Sequence, residues 1–287
     1  MKQYTVLIGL RIRDAMVKEI AAVHPGVRLH LVADEVSALL GQRAERVPGL
    51  GKGTGMDPAQ AEARLIPLLQ EADIYFGIRV LPDMVARSPR LRWVQLVAHG
   101  IDHIQGDIMQ GKVTVTTGRG AYAAIIAEHV LMLMLMLVRQ APRVLANQQQ
   151  RRWERLYPGE LDGQTVGLVG LGSIGAAVAR AAQGFGMRVL GTRRTAAPGE
   201  SLPDVDEVVP PGSLPYLLRN SDFVVLCVPL TPHTRRLIGQ EELRAMKPTA
   251  YLINVARGGV VDDAALVQAL REGWIAGAGL DVFEQEP

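Results

Sequence analysis

Short apolar runs separated by longer amphipathic stretches recur along most of the chain. In the first part, runs at 4–8, 27–32, 74–78 and 93–97 are rich in Val, Leu and Ile and read as buried strands, with helices at 13–23 and 57–70 between them. This alternation predicts βαβ units and a parallel sheet. After Val97 the pattern restarts. A strand at 113–117 precedes a long apolar helix running to Val138, and a polar connector at 148–163 carries Trp153 and Pro158. Strands follow at 165–169, 187–191, 223–228, 250–255 and 275–280, with helical stretches between them. The expected fold class is α/β, with two doubly wound parallel-sheet domains spanning 1–97 and 98–287. No short-period repeat or low-complexity segment interrupts the pattern.

A length of 287 residues fits two domains at the common size of ~150 residues each. Hydrophobic residues make up 48% of the chain and aromatics 5%, so the cores are expected to be built from Leu, Val, Ile, Ala and Met. With a net charge of +2 and scattered arginines, the chain offers no basic stripe, and no nucleic-acid partner is expected. Cys227 stands alone, which rules out a disulfide within the chain and suits a reducing, cytoplasmic setting. The amino-terminal run lacks the apolar length of a signal peptide.

Two segments invite misreading. The stretch at 125–138 contains an unbroken Leu/Met run from Leu131 to Leu137, but it includes Glu128 and His129 and falls short of the ~20 apolar residues a bilayer span needs. It reads as a buried helix, with no membrane partner, and an apolar helix this complete is expected to pack on all sides, as at a dimer seam. The glycine-rich segment from Gly49 to Gly55 fails as a phosphate loop because Gly53, not Ser or Thr, follows Lys52. It is expected to be a surface loop.

The strongest motif begins where the strand at 165–169 runs into Gly170-Leu171-Gly172-Ser173-Ile174-Gly175 and then into a helix over 176–183. This is G-x-G-x-x-G in the strand–turn–helix context that a dinucleotide requires. Gly170 would make the tight turn, Gly172 would admit the pyrophosphate, and Gly175 would let the helix pack on the strand, with Ser173 and Ile174 opening the helix toward the phosphates. The next strand ends in Arg193 and Arg194, where an NAD site commonly carries an acidic residue. Two guanidinium groups there suit the 2′-phosphate of NADP(H), which is the preferred cofactor; NAD(H) stays open if both are simply solvated.

Three further strand ends carry polar residues suited to chemistry: Leu226-Cys227-Val228-Pro229, Asn254-Val255-Ala256-Arg257-Gly258-Gly259 and Leu280-Asp281-Val282-Phe283-Glu284-Gln285-Glu286. Together with the glycine turn, and over about residues 82–287, they resemble the D-isomer-specific 2-hydroxyacid dehydrogenase family. The resemblance implies a flavodoxin-like substrate domain beside a Rossmann cofactor domain, and reduction of a 2-keto acid to a D-2-hydroxy acid with no metal. It makes Arg257 the residue that binds the substrate carboxylate and polarises the keto oxygen, where hydride attack places negative charge. It puts Asp281, Val228, Pro229 and Ala256 on the cofactor, and Glu286 beside a catalytic histidine.

That histidine is expected downstream of Glu286, beyond Pro287, in a further segment that would also complete the first domain. The loop His99-Gly100-Ile101-Asp102-His103 matches the family's first substrate loop, with backbone amides near His99 and Gly100 taking the carboxylate. His99 stands where the family usually has a small or apolar residue, so it either tunes substrate or proton supply, or is a hydrogen-bonded loop histidine. His129 is expected to be structural, and Asp262 an N-cap. The family also implies a homodimer through the apolar helix. The competing class is a cofactor-binding regulator of the corepressor kind, without turnover. Glu286 argues against formate dehydrogenases, which carry Gln there, and Arg193 against phosphoglycerate dehydrogenases, which usually bind NAD.

Overall fold

A computed structural model of the chain describes residues 3–41, 55–98, 100, 101, 104, 106–197 and 199–286. His99, Asp102, His103 and the glycine-rich segment at 49–54 lie outside the described residues. The chain forms two compact units, Met1–Arg119 and Gly120–Pro287.

The first unit comprises β1 (Tyr4–Ile8), α1 (Asp14–Ala22), β2 (Val27–Leu31), α2 (Ala33–Leu39), α3 (Pro58–Glu71), β3 (Ile74–Gly77), α4 (Met84–Arg87), β4 (Trp93–Leu96) and β5 (Thr114–Thr117). Among the described residues it is a five-stranded parallel sheet in the order β2-β1-β3-β4-β5, the flavodoxin-like arrangement. Alternate side chains enter two cores. Leu7, Tyr75, Val94 and Leu96 pack under α2, α3 and α4, while Val6, Ile8 and Phe76 pack under α1.

Its position after the break at Val97 places the 113–117 strand in the second domain on sequence grounds. The strand instead pairs in parallel with β4, Trp93 opposite Thr114, so the first unit reaches Arg119 and the 97/98 boundary is corrected. Backbone hydrogen bonds decide which sheet a strand joins, and hydrophobic periodicity carries no record of them.

The second unit comprises α5 (Ala123–Val138), α6 (Ala141–Gln149), β6 (Thr165–Val169), α7 (Ser173–Gln183), β7 (Arg188–Thr192), β8 (Glu207–Val209), α8 (Leu214–Asn220), β9 (Phe223–Leu226), α9 (Gln240–Ala245), β10 (Tyr251–Asn254), α10 (Asp263–Glu272) and β11 (Gly277–Leu280). Its six strands, among the described residues, run β8-β7-β6-β9-β10-β11, the doubly wound order of a Rossmann domain. One face is covered by α5 and α7 and the other by α8, α9 and α10. Strand β8 was not foreseen, since three residues are too few to show a period.

Helix α5 buries Ala127, Val130, Met134 and Val138, the three- and four-residue spacing of one helical face. Packing on all sides is not seen within the chain: Ile125 is 62% exposed and Met132 45%. No single helix among the described residues is long and apolar enough to cross a membrane.

Tyr75, fully buried in the first unit, is wedged between two glycines and donates its hydroxyl to the Arg79 carbonyl at 2.5 Å. A Cβ on Gly9 would stand 1.9 Å from that hydroxyl oxygen. Gly9→Ala is therefore expected to destabilise the first unit by ~1–3 kcal/mol through overpacking. Urea unfolding measures this, and a midpoint equal to wild type would mean the ring can yield.

Candidate active site

The order of strands in the second sheet reverses between β6 and β9, where open α/β sheets bind ligands beyond the strands' carboxyl ends. The glycine turn leaves β6 at this point. Gly170 has φ of +113°, in the region that favours glycine. Its amide and that of Leu171 both donate to the Thr192 carbonyl at 3.0 Å, tying the turn to the end of β7. A Cβ on Gly175 would lie 2.1 Å from the Gly170 carbonyl oxygen, and one on Gly170 would lie 2.9 Å from the Cys227 backbone after β9. Around Gly172, by contrast, a Cβ would meet nothing within 4 Å. The outer glycines lock the turn and the middle one leaves bare backbone open to a ligand.

Ser173 begins α7, so the helix's first amides, which have no acceptor inside the helix, lie at the turn. The Ile174 side chain belongs to the core, which leaves its backbone amide for a ligand. Among the described residues, the Ser173 and Thr192 hydroxyls and the Arg193 Nε are buried without a hydrogen-bond partner. Spare donors around an uncovered glycine fit a dinucleotide's phosphates.

At the tip of β7, Arg194 is exposed and makes no ion pair among the described residues. Arg193 is placed differently from a solvated side chain: its guanidinium is bound to Glu200, seven residues further along. The absence of an acid next to β7 in sequence is thus offset by one that the following loop brings back.

At the end of β10, the Asn254 amide group is buried and bonded on both sides. It accepts from the Ala256 amide at 3.0 Å and donates to the Arg257 carbonyl at 3.0 Å. The half-buried Arg257 donates through Nη1 to the Ala256 carbonyl at 2.8 Å. Beside it, a Cβ on Gly258 would fall 1.9 Å from the Phe283 carbonyl carbon, so the stretch after β11 lies directly against the Arg257 turn. That stretch begins at Asp281, whose amide donates to the Asn254 carbonyl at 3.0 Å and whose carboxylate stands 3.4 Å from His129 Nε2 on α5. Exposed Glu286 closes it by accepting the Phe283 amide at 2.9 Å.

After β9, Val228 is half-buried and Pro229 exposed, and the Pro229 carbonyl accepts from the Thr234 hydroxyl at 2.6 Å. Cys227 is partly accessible, yet burial of its thiol pushes the pKa up to about 12, which disfavours the thiolate.

A family model described as D-isomer specific 2-hydroxyacid dehydrogenase, NAD binding domain, matches residues 131–287. The chain belongs to this family. Among curated 2-hydroxyacid dehydrogenase relatives, a glyoxylate reductase from Thermococcus gammatolerans is 42% identical over 219 residues, which cover 73% of this chain and 65% of the relative. The family member from Xanthobacter autotrophicus, solved with NADPH and MES, is 30% identical with a TM-score of 0.76, covering 100% of this chain and 82% of that one. The NADPH-dependent glyoxylate/hydroxypyruvate reductase from Sinorhizobium meliloti, solved with NADP and sulfate, is 25% identical with a TM-score of 0.76, covering 99% and 83%.

In this family member, the second unit gathers the glycine turn, Arg193, Val228, Pro229, Ala256, Arg257, Asp281 and Glu286 along the carboxyl edge of one sheet. Gly100 lies half-buried in the first unit. Asp262 caps α10 as expected, accepting from the Ala265 amide at 3.1 Å. Sequence reasoning assigns no individual role to Asn254, Gly258 or Glu200, and reads His129 as structural without its partner Asp281. Asn254 was within reach, because a buried amide three residues before a functional arginine is a ready turn pin.

Gly258→Ala is expected to push the 283–286 stretch off the Arg257 turn. Hydrogen exchange of the Asp281 and Phe283 amides should quicken, with stability lowered by ~1–3 kcal/mol. Unchanged exchange would show that this contact does not seat the stretch.

Proposed function

We propose that this dehydrogenase reduces a small 2-keto acid to the D-2-hydroxy acid, using NADPH in preference to NADH. One observation carries the reading: Arg257 projects from a backbone turn pinned by the Asn254 side chain, on the same sheet edge as a glycine turn shaped for a dinucleotide.

The nicotinamide cofactor supplies the hydride when bound. Arg257 binds the substrate carboxylate and stabilises the negative charge that develops on the keto oxygen. Its planar, permanently charged fork suits both tasks. Asp281 holds the nicotinamide end of the site, steadied by the His129 imidazole 3.4 Å away. Glu286 is the carboxylate that would partner the imidazole supplying the proton to the keto oxygen. The NADPH preference is supported by Arg193 and Arg194 at the tip of β7, and by the NADP(H) complexes of the Xanthobacter and Sinorhizobium relatives.

Steady-state oxidation of NADPH and NADH with glyoxylate, hydroxypyruvate and phenylpyruvate tests the activity. Turnover is expected with NADPH favoured, and Arg257→Gln should lower kcat by ~10²–10³, the usual cost of losing one oxyanion stabiliser. Binding of NADPH without turnover, in the protein including any segment after Pro287, would instead support a regulator.

Dimerisation through α5 belongs to the same proposal. Leu131, Met132, Leu135 and Met136 form an apolar strip between Glu128 and Arg139 on the helix's outer side. A second copy would cover it and relieve the exposure of Met132. Sedimentation should report a dimer for the wild type and a monomer for Met132→Glu; a wild-type monomer would refute it.

A further inference from the structure

The Arg193–Glu200 pair has a geometry of its own. Arg193 leaves β7 with its carbonyl accepting the Ala196 amide at 3.0 Å, which starts a tight loop. The Glu200 amide donates to the Ala197 carbonyl at 3.1 Å, and the Ala197 amide donates back to Glu200 Oε2 at 3.2 Å. Glu200 Oε1 meets Arg193 Nη2. The carboxylate is therefore anchored by the loop's own backbone on one oxygen and by the guanidinium on the other. Its side chain is 18% exposed, against 36% for Arg193, so it is the more enclosed partner. Arg193 Nε, buried, has no partner at all among the described residues. Glu200 thus holds one edge of the fork and leaves another donor unspent.

We propose that Glu200 is a specificity-determining residue, which competes with the cofactor's 2′-phosphate for Arg193 and so narrows the preference for NADPH over NADH. The inference rests on the reading that Arg193 receives that phosphate. A 2′-phosphate arriving at Arg193 meets a carboxylate already seated on it. Either the phosphate displaces Glu200 from the fork, or both anions share one guanidinium and repel each other. NADH carries a hydroxyl at that position and requires neither change, so the pair stays intact. Arg194, exposed and outside the pair, remains available to the phosphate and keeps the preference from vanishing.

Calorimetric titration of the full chain with 2′,5′-ADP and with 5′-AMP tests this through binding alone. Glu200→Gln keeps the side chain's size and an oxygen for the Ala197 amide, but removes the charge. It is expected to tighten 2′,5′-ADP binding by about 1.5- to fivefold, the range for a partly exposed charge pair, and to leave 5′-AMP unchanged. The gain should shrink at 1 M salt, where the Debye length falls to ~3 Å. Arg193→Gln should weaken 2′,5′-ADP and spare 5′-AMP. If Arg193→Gln leaves 2′,5′-ADP unaffected, the phosphate reading falls, and this inference with it. If Arg193→Gln weakens 2′,5′-ADP but Glu200→Gln fails to tighten it, or loosens both ligands alike, Glu200 is only a loop anchor and this inference alone is overturned.

Discussion

Backbone packed on backbone at the reversal of strand order is the constraint on which the rest of the cofactor unit depends. The Gly170 carbonyl fills the space where Gly175 would carry a Cβ, and Gly170 itself abuts the Cys227 backbone. Because both contacts are made by main chain, no side-chain rotation can relieve a methyl group added at either place. They bring the start of α7, the end of β7 and the turn after β9 to one spot. The amides of Gly170 and Leu171 complete the junction on the Thr192 carbonyl. Once those three chain segments converge, the helix's first amides and the open face of Gly172 have a shared direction, and a phosphate-binding site follows without any dedicated charge.

The other half of the sheet edge is built by a similar economy. Asn254 has no chemistry to perform, yet its side-chain amide bonds both the Ala256 amide and the Arg257 carbonyl and so sets the turn from which the guanidinium projects. Gly258 then admits the Phe283–Glu284 backbone, and Asp281 hangs from the Asn254 carbonyl. The residues that carry charge are thus aimed by neighbours that carry none. His129 joins this group from α5, where the imidazole on a largely apolar helix finds its partner in the Asp281 carboxylate.

Much of this was legible beforehand, for identifiable reasons. Parallel strands buried on both faces leave continuous runs of Val, Ile and Leu, so nearly every strand could be found from the chain alone. The glycine turn was legible because its spacing encodes steric needs that few other residues meet. Arg257, Asp281 and Glu286 are singled out by ordered motifs shared with a family. Strand β5 went to the wrong sheet because its partner is chosen by backbone hydrogen bonds. Asn254 and Gly258 were overlooked because their work is visible only as distances to other chain segments.

The amino-acid sequence by itself determined the two α/β units, the dinucleotide turn and the family, since each depends on local periodicity or on steric demands confined to a few adjacent residues. Tertiary structure alone decided that β5 closes the first sheet, that α5 keeps one apolar face outward, that His129 meets Asp281, and that Glu200 returns to Arg193. These are encounters between residues separated along the chain. Their free energy depends on distance and burial in space, and neither quantity exists until the chain has folded.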